Sequence, residues 1–180
     1  MTPIEVVFET HALSEDNERG IATGWLPGRL SEQGRANAAA MGRRRRGDGI
    51  TAVFSSDLRR AAQTAEIAFG QTGIPILYDW RLRECDFGTR NGSPAAEISS
   101  DRLDYCDRPY PGGESHTEAI SRVTRFLADL PTRWAGQRVM VIGHRATYRA
   151  LEQATTGRTV HDLVAADFLW KAEGWEYRLR

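Results

Sequence analysis

The strongest constraint on the fold is the way short, apolar, β-rich runs alternate along the chain with longer segments of helical period. Residues 4–8 (Ile-Glu-Val-Val-Phe), 52–54 (Ala-Val-Phe), 74–77 (Ile-Pro-Ile-Leu) and 139–142 (Val-Met-Val-Ile) are too short for helices and read as strands. Residues 175–179 read as an edge strand. Helices are expected over 31–46, opened by Ser31 and stopped near Gly47, and over 58–69, behind the N-cap candidates Ser55, Ser56 and Asp57. Two more are expected: one opened by the capping-box sequence Ser115-His116-Thr117-Glu118 and ended by Pro131, the other over 146–154. Strands alternating with helices in this way give an α/β three-layer sandwich, a mostly parallel sheet with helices on both faces. With 180 residues, a single domain over 1–180 is expected.

In sheets of this kind, ligands bind beyond the carboxyl ends of the strands. His11 follows the first strand, Ser55-Ser56 ends the second, and His144 follows the apolar run 139–142. If these strands are parallel, all three positions share one edge of the sheet. The irregular stretch over 79–111 is long for a loop inside a compact domain, and such loops usually serve function.

Composition removes several function classes. Lys plus Arg (24) balance Asp plus Glu (24), so no net field draws the molecule to nucleic acid or an anionic membrane. No apolar stretch approaches the roughly 20 residues of a membrane span, and no apolar run opens the chain. Cys85 and Cys106 lack both metal-type spacing and a disulfide framework, which suits a reducing compartment. A cytoplasmic protein is expected.

Lys171 is the single lysine among 24 basic residues, so an arginine near any site carries little information unless its placement is odd. Arg59 and Arg60 are odd: they open a helix, where the macrodipole disfavours cations, and a bound anion would compensate. The alternative is that they fold back onto Asp57, Glu66 or solvent. The run from Arg43 to Arg46 closes a helix, where cations suit the dipole, and reads as a solvated end. His116 and His161 fall in polar helical contexts and read as ordinary helical residues. Glu84, between Arg83 and Asp86 in the long loop, is a candidate general acid.

Taken together, these blocks resemble the histidine phosphatase superfamily, which includes the phosphoglycerate mutases. Thr10-His11-Ala12-Leu13-Ser14-Glu15-Asp16-Asn17 is similar to the family's Arg-His-Gly-x-Thr/Ser-x-x-Asn, and residues 55–65 to Ser-Ser-x-x-x-Arg-Ala-x-x-Thr-Ala, which singles out Arg60. The likeness continues through Leu82-Arg83-Glu84-Cys85-Asp86-Phe87-Gly88, Gly112-Gly113-Glu114-Ser115 and Val141-Ile142-Gly143-His144, in the family order. It implies a phosphoglycerate mutase-like fold and phosphoryl transfer without metal or other cofactor. His11 would attack phosphorus, and Glu84 would protonate the leaving oxygen and later help activate water. Arg60 and His144 would bind the equatorial oxygens, with Asn17 and Ser14 completing the cradle. Thr23-Gly24-Trp25 resembles the mutase substrate loop. A short chain favours hydrolysis of a small phosphorylated metabolite over mutase action, with neither nucleic acid nor a membrane as partner; a homodimer is left open.

Three positions depart from the pattern: Thr10 replaces the arginine before the nucleophile, Ala12 the glycine after it, and Arg145 the glycine after the second histidine. Loss of one charge-assisted contact would cost about ten- to a hundredfold in rate. Either Arg145 restores the charge beside Thr10, or His11 acts as a general base on a less anionic substrate in an elimination or cyclisation, or the site only binds a phosphorylated ligand or protein.

Overall fold

The computed structural model describes residues 2–180. Its five strands are β1 (Ile4–Thr10), β2 (Ile50–Ser55), β3 (Ile76–Tyr78), β4 (Arg138–Gly143) and β5 (Trp175–Leu179). They form one sheet in the order β3-β2-β4-β1-β5. β1, β2, β3 and β4 pair in parallel, and β5 runs antiparallel along β1 at the edge. The helices are α1 (Glu15–Glu18), α2 (Glu32–Arg44), α3 (Arg59–Phe69), α4 (Ala95–Ser100), α5 (His116–Trp134), α6 (Arg145–Thr156) and α7 (Val160–Ala165).

Alternating strand side chains divide the core in two, as the period of a strand requires. Val6, Phe8, Phe54, Val139 and Val141 pack with Ile120, Val123 and Phe126 of α5 and Leu151 of α6. Val7, Val53, Met140 and Ile142 face the other way, onto Met41 of α2 and Ala61, Ala65 and Phe69 of α3. The run 139–142 is apolar throughout because β4 is central and covered on both faces. This is the expected three-layer α/β sandwich. Among the described residues, no helix is long and apolar enough to cross a membrane.

Four local expectations need correction. Ser55, Ser56 and Asp57 do not cap α3, whose N-cap is Leu58 without a side-chain bond. Ser56 spends its hydroxyl on the Leu58 N–H at 3.2 Å, tightening the turn before the helix, and Asp57 is held by Arg83 at 2.6 Å. Pro131 does not end α5, which runs on to Trp134; a proline in the last turn removes a single ladder bond. β3 starts at Ile76 because Pro75 has no N–H, although its carbonyl still accepts from Val53 at 2.9 Å. The stretch 79–111 contains α4 and three short 3-10 turns, too brief for periodicity to register. The capping reading at Ser115 does hold: Ser115 Oγ accepts from Glu118 N at 3.1 Å, and Glu118 Oε2 accepts from Ser115 N at 2.8 Å.

Close packing of α2 on α3 depends on Gly42, because a Cβ there would collide with the Ala68 carbonyl. Gly42→Ala is therefore expected to destabilise the protein by about 1–3 kcal/mol, even though alanine is the better helix former. A lower urea midpoint at unchanged slope would show it.

Candidate active site

The site starts from a backbone register. Thr10 of β1 lies beside Gly143 of β4, and the next N–H, that of His11, donates to the Gly143 carbonyl at 3.0 Å. His11 and His144 therefore leave adjacent parallel strands at the same level, their ring centroids 5.1 Å apart. β2 ends alongside, and α3 starts just beyond it, so its second residue, Arg60, points into the same space. The two odd arginines thus have different fates: Arg60 is buried and Arg59 is solvent-exposed.

Arg60 links the group. Its Nε donates to His11 Nε2 at 3.3 Å, and its Nη2 to the Gly24 carbonyl at 2.9 Å and to His144 Nδ1 at 3.4 Å. Gly24 can approach this closely because it has no Cβ: its φ is +54°, and a side chain there would run into Asn91. His11 Nδ1–H donates to the Ala12 carbonyl at 2.7 Å, which leaves the Nε2 lone pair on the side of Arg60. Of the four buried side-chain polar atoms without a partner among the described residues, two belong to this group, Arg60 Nη1 and His144 Nε2. Buried donors in that state cost about 1–3 kcal/mol each, which an oxyanion placed between them would recover.

Glu84 faces this group from the long loop. Its Oε1 accepts from Cys85 N at 2.9 Å and Ala146 N at 3.3 Å, and its Oε2 from Arg145 N at 3.2 Å. The carboxylate thus sits on the first turn of α6, where the dipole favours it. The loop behind it is pinned by Arg122, which donates to the carbonyls of Arg81, Arg83 and Glu84 at 2.9 Å each and pairs with Glu114 at 2.6 Å. Trp25 Nε1 adds a 2.7 Å bond to the Glu84 carbonyl.

Thr10, His11, Asn17, Thr23, Gly24, Arg60, Glu84, His144 and Arg145 all line one cavity of about 710 Å³. Ser14 does not line it; its Oγ accepts from Asn17 N at 3.1 Å and caps α1. Asn17 returns the bond through Oδ1, and Thr23 Oγ1 donates to Asp16 at 2.9 Å, so both are held in place at the rim. Arg145 is exposed, with its guanidinium 5.3 Å from the centroid of the Phe168 ring. Sequence reasoning passed over Arg122 and Arg149 and read His116 as an ordinary helical residue. The last two line the cavity, and His116 is buried between Tyr110 and Arg149. Discounting arginines hid two of them, although Arg149 lies one helical turn beyond the singled-out Arg145.

Burial, reinforced by Arg60, lowers the pKa of His11 to about 3 against the opposing bond to Ala12. Burial, then Arg60 and His11, holds His144 well below the usual histidine range. Burial brings Arg60 down to about 10, opposed by Glu84 and Asp16. At neutral pH the site is therefore two neutral imidazoles around one guanidinium.

The model of the histidine phosphatase superfamily (branch 1) matches residues 6–168. A 2,3-bisphosphoglycerate-dependent phosphoglycerate mutase of Methylobacterium sp. (strain 4-46) is 33% identical over 190 aligned positions, which cover 97% of this chain and 91% of that protein. Among solved structures, Bacillus stearothermophilus YhfR shares the fold with a TM-score of 0.83 at 24% identity, covering 94% of this chain and 88% of that one. A mycobacterial glucosyl-3-phosphoglycerate phosphatase, complexed with VO3, superposes with a TM-score of 0.79 at 28% identity, covering 96% and 90%.

The histidine shifts have a consequence for stability. An unfolded histidine titrates near 6.5, whereas His11 and His116 stay neutral in the fold down to about pH 3, and burial with Arg60 holds His144 well below the usual histidine range. Their contribution is complete above pH 6.5 and is lost as the pH falls towards 3, because the unfolded chain binds protons that the folded one refuses. The urea midpoint should fall between pH 6.5 and 5, before most carboxylates titrate, and the fall should be shallower in His11→Gln.

Proposed function

The chain belongs to the histidine phosphatase superfamily, and on that premise we propose that it hydrolyses a small phosphorylated metabolite through a phosphohistidine on His11. The observation that carries this reading is the state of His11: a neutral ring with Nδ1–H committed to the Ala12 carbonyl and its Nε2 lone pair facing a buried guanidinium. A phosphoryl group drawn to Arg60 would approach that lone pair. His11 Nε2 attacks phosphorus and the bond to the leaving oxygen breaks, while Glu84, entering the cycle in its acid form, passes its proton to that oxygen and is left a carboxylate. Water then attacks the phosphohistidine, Glu84 takes its proton, and the N–P bond breaks. Arg60 Nη1 and His144 Nε2, the two unpartnered atoms of the site, bind equatorial oxygens, in keeping with catalysis by positioning and charge stabilisation. Asn17, Thr23 and Gly24 border the substrate. Arg145 supplies the positive charge that Thr10 lacks, by leaving Phe168 and turning towards His11.

The similarity to a mutase over nearly the whole chain supports a second reading, in which the phosphoryl group passes to another substrate hydroxyl rather than to water. The two readings share the first half-reaction and differ in the acceptor. Release of inorganic phosphate from a phosphoglycerate, with no interconversion of its isomers when bisphosphoglycerate is supplied, is the expected result; interconversion outpacing release would favour the mutase.

An activated aryl phosphate should be hydrolysed in the presence of a chelator, and His11→Ala should lower the rate by about a thousandfold or more. No turnover by the wild type across a panel of phosphoesters would sink the hydrolase reading. Arg145→Gly should weaken vanadate binding by about tenfold or more, since charge-assisted contacts to such an anion are among the stronger ones. Unchanged binding would remove Arg145 from this role.

A further inference from the structure

Four arginines are buried, and they fall into two classes. Arg45 is matched by Glu9 and Asp48, and Arg122 by Glu114. Arg60 and Arg149 have no carboxylate partner among the described residues, and both line the cavity that holds His11. A buried cation without a counter-ion is costly, so a fold keeps one where something else supplies the negative charge. For Arg60 that is the transferred phosphoryl group. For Arg149, resting on the hydrolase reading above, we propose that it is a second anionic group of the same substrate, a carboxylate or a second phosphate carried by the leaving group.

The surroundings of Arg149 support this assignment. Its side chain is nearly enclosed, with 7% of the residue exposed, and its one protein hydrogen bond is from Nη1 to His116 Nδ1 at 3.3 Å. His116 offers no charge in return, since burial and Arg149 itself push it down to about 3, and its other nitrogen meets the Tyr110 hydroxyl at 3.4 Å. The nearest help is more positive charge: Arg145, one turn earlier on α6, and Arg102 both disfavour the charged form of Arg149, alongside the dominant effect of burial. Arg102 cannot serve as a fork for a ligand, because the carbonyls of Ser99, Val164 and Ala165 already take its donors, yet it holds its charge at the cavity wall. Glu84 is the one carboxylate that favours charged Arg149, and its oxygens are bonded to the backbone of Cys85, Arg145 and Ala146. Nε and Nη2 of Arg149 are left for a ligand.

Three probes test the subsite: glycerol 3-phosphate, with no second anion; 3-phosphoglycerate, with a carboxylate; and 1,3-propanediol bisphosphate, with a second phosphate. The wild type should favour at least one of the last two over the first by about tenfold or more in kcat/KM, and the favoured one identifies the anion. Arg149→Met should bring that ratio close to one, chiefly through KM, while Arg149→Lys should keep part of it. If Arg149→Met does not fold, Arg149→Lys decides, and its ratio must fall severalfold. Calorimetric titration of the same probes into His11→Ala, with and without Arg149→Met, measures the preference without turnover. A preference there in the absence of wild-type hydrolysis would refute the phosphatase and keep the subsite. No preference in the wild type, or one that survives in a folded Arg149 variant, would overturn the subsite even if aryl phosphates are hydrolysed.

Discussion

The site depends on the parallel pairing of β1 with β4. Parallel neighbours bring their carboxyl ends to one edge, and the register that sets Thr10 beside Gly143 brings His11 and His144 out together. A slip of one residue would turn every side chain of β1 to the opposite face, exchanging Val6 and Phe8 with Val7 between the two halves of the core. The packing that excludes this slip is therefore also what holds the two imidazoles 5.1 Å apart. The geometry of the candidate site and the stability of the core rest on the same constraint.

What this edge presents is positive charge that the protein itself leaves unmatched. Arg60 is buried between two neutral histidines, and the carboxylate that faces it, Glu84, is already engaged by three backbone N–H groups. Arg60 and His144 need no reorganisation to face an anion, because they are fixed by α3, by the Gly24 carbonyl and by the start of α6. Glu84 differs in this respect. In the proposed mechanism, donating a proton to a leaving group requires exchanging one of its backbone bonds for the substrate oxygen, so α6 and the loop pinned by Arg122 would have to hold it close without locking it.

Much of this was legible in the sequence because the signals were local. The apolar run 139–142 can only be a covered strand, and a histidine two residues past it has to stand at the sheet edge. A cation in the first turn of a helix is out of place unless an anion faces it, which marked Arg59 and Arg60 alike; only the likeness to the family motif separated the buried Arg60 from the exposed Arg59. The misreadings came where tertiary contacts override a local rule. Asp57 is a good N-cap residue, yet Arg83 takes it, and Pro131 is a good helix terminator, yet the turn around it is held by Leu127 and Leu130 in the core. Arg122 and Arg149 could not be told from other arginines by composition. Their character comes from burial and from whether a carboxylate lies opposite, which only the folded chain decides.

The departures at positions 10 and 145 also make sense as a redistribution of charge. Position 10 contributes no cation from the strand, and Glu9, just before it, adds a buried carboxylate to the cavity wall. That charge is cancelled by Arg44 at 2.6 Å and Arg45 at 2.7 Å from the end of α2, the arginine run that reads as a solvated helix end in the sequence. Arg45 also bonds to the Glu173 carbonyl, fastening the segment that carries Phe168 to the same wall. With Glu9 neutralised, β1 adds no net charge to the cavity, whose positive wall is built by Arg60 at the start of α3, by Arg145 and Arg149 one turn apart on α6, and by Arg102 and Lys171 beside them.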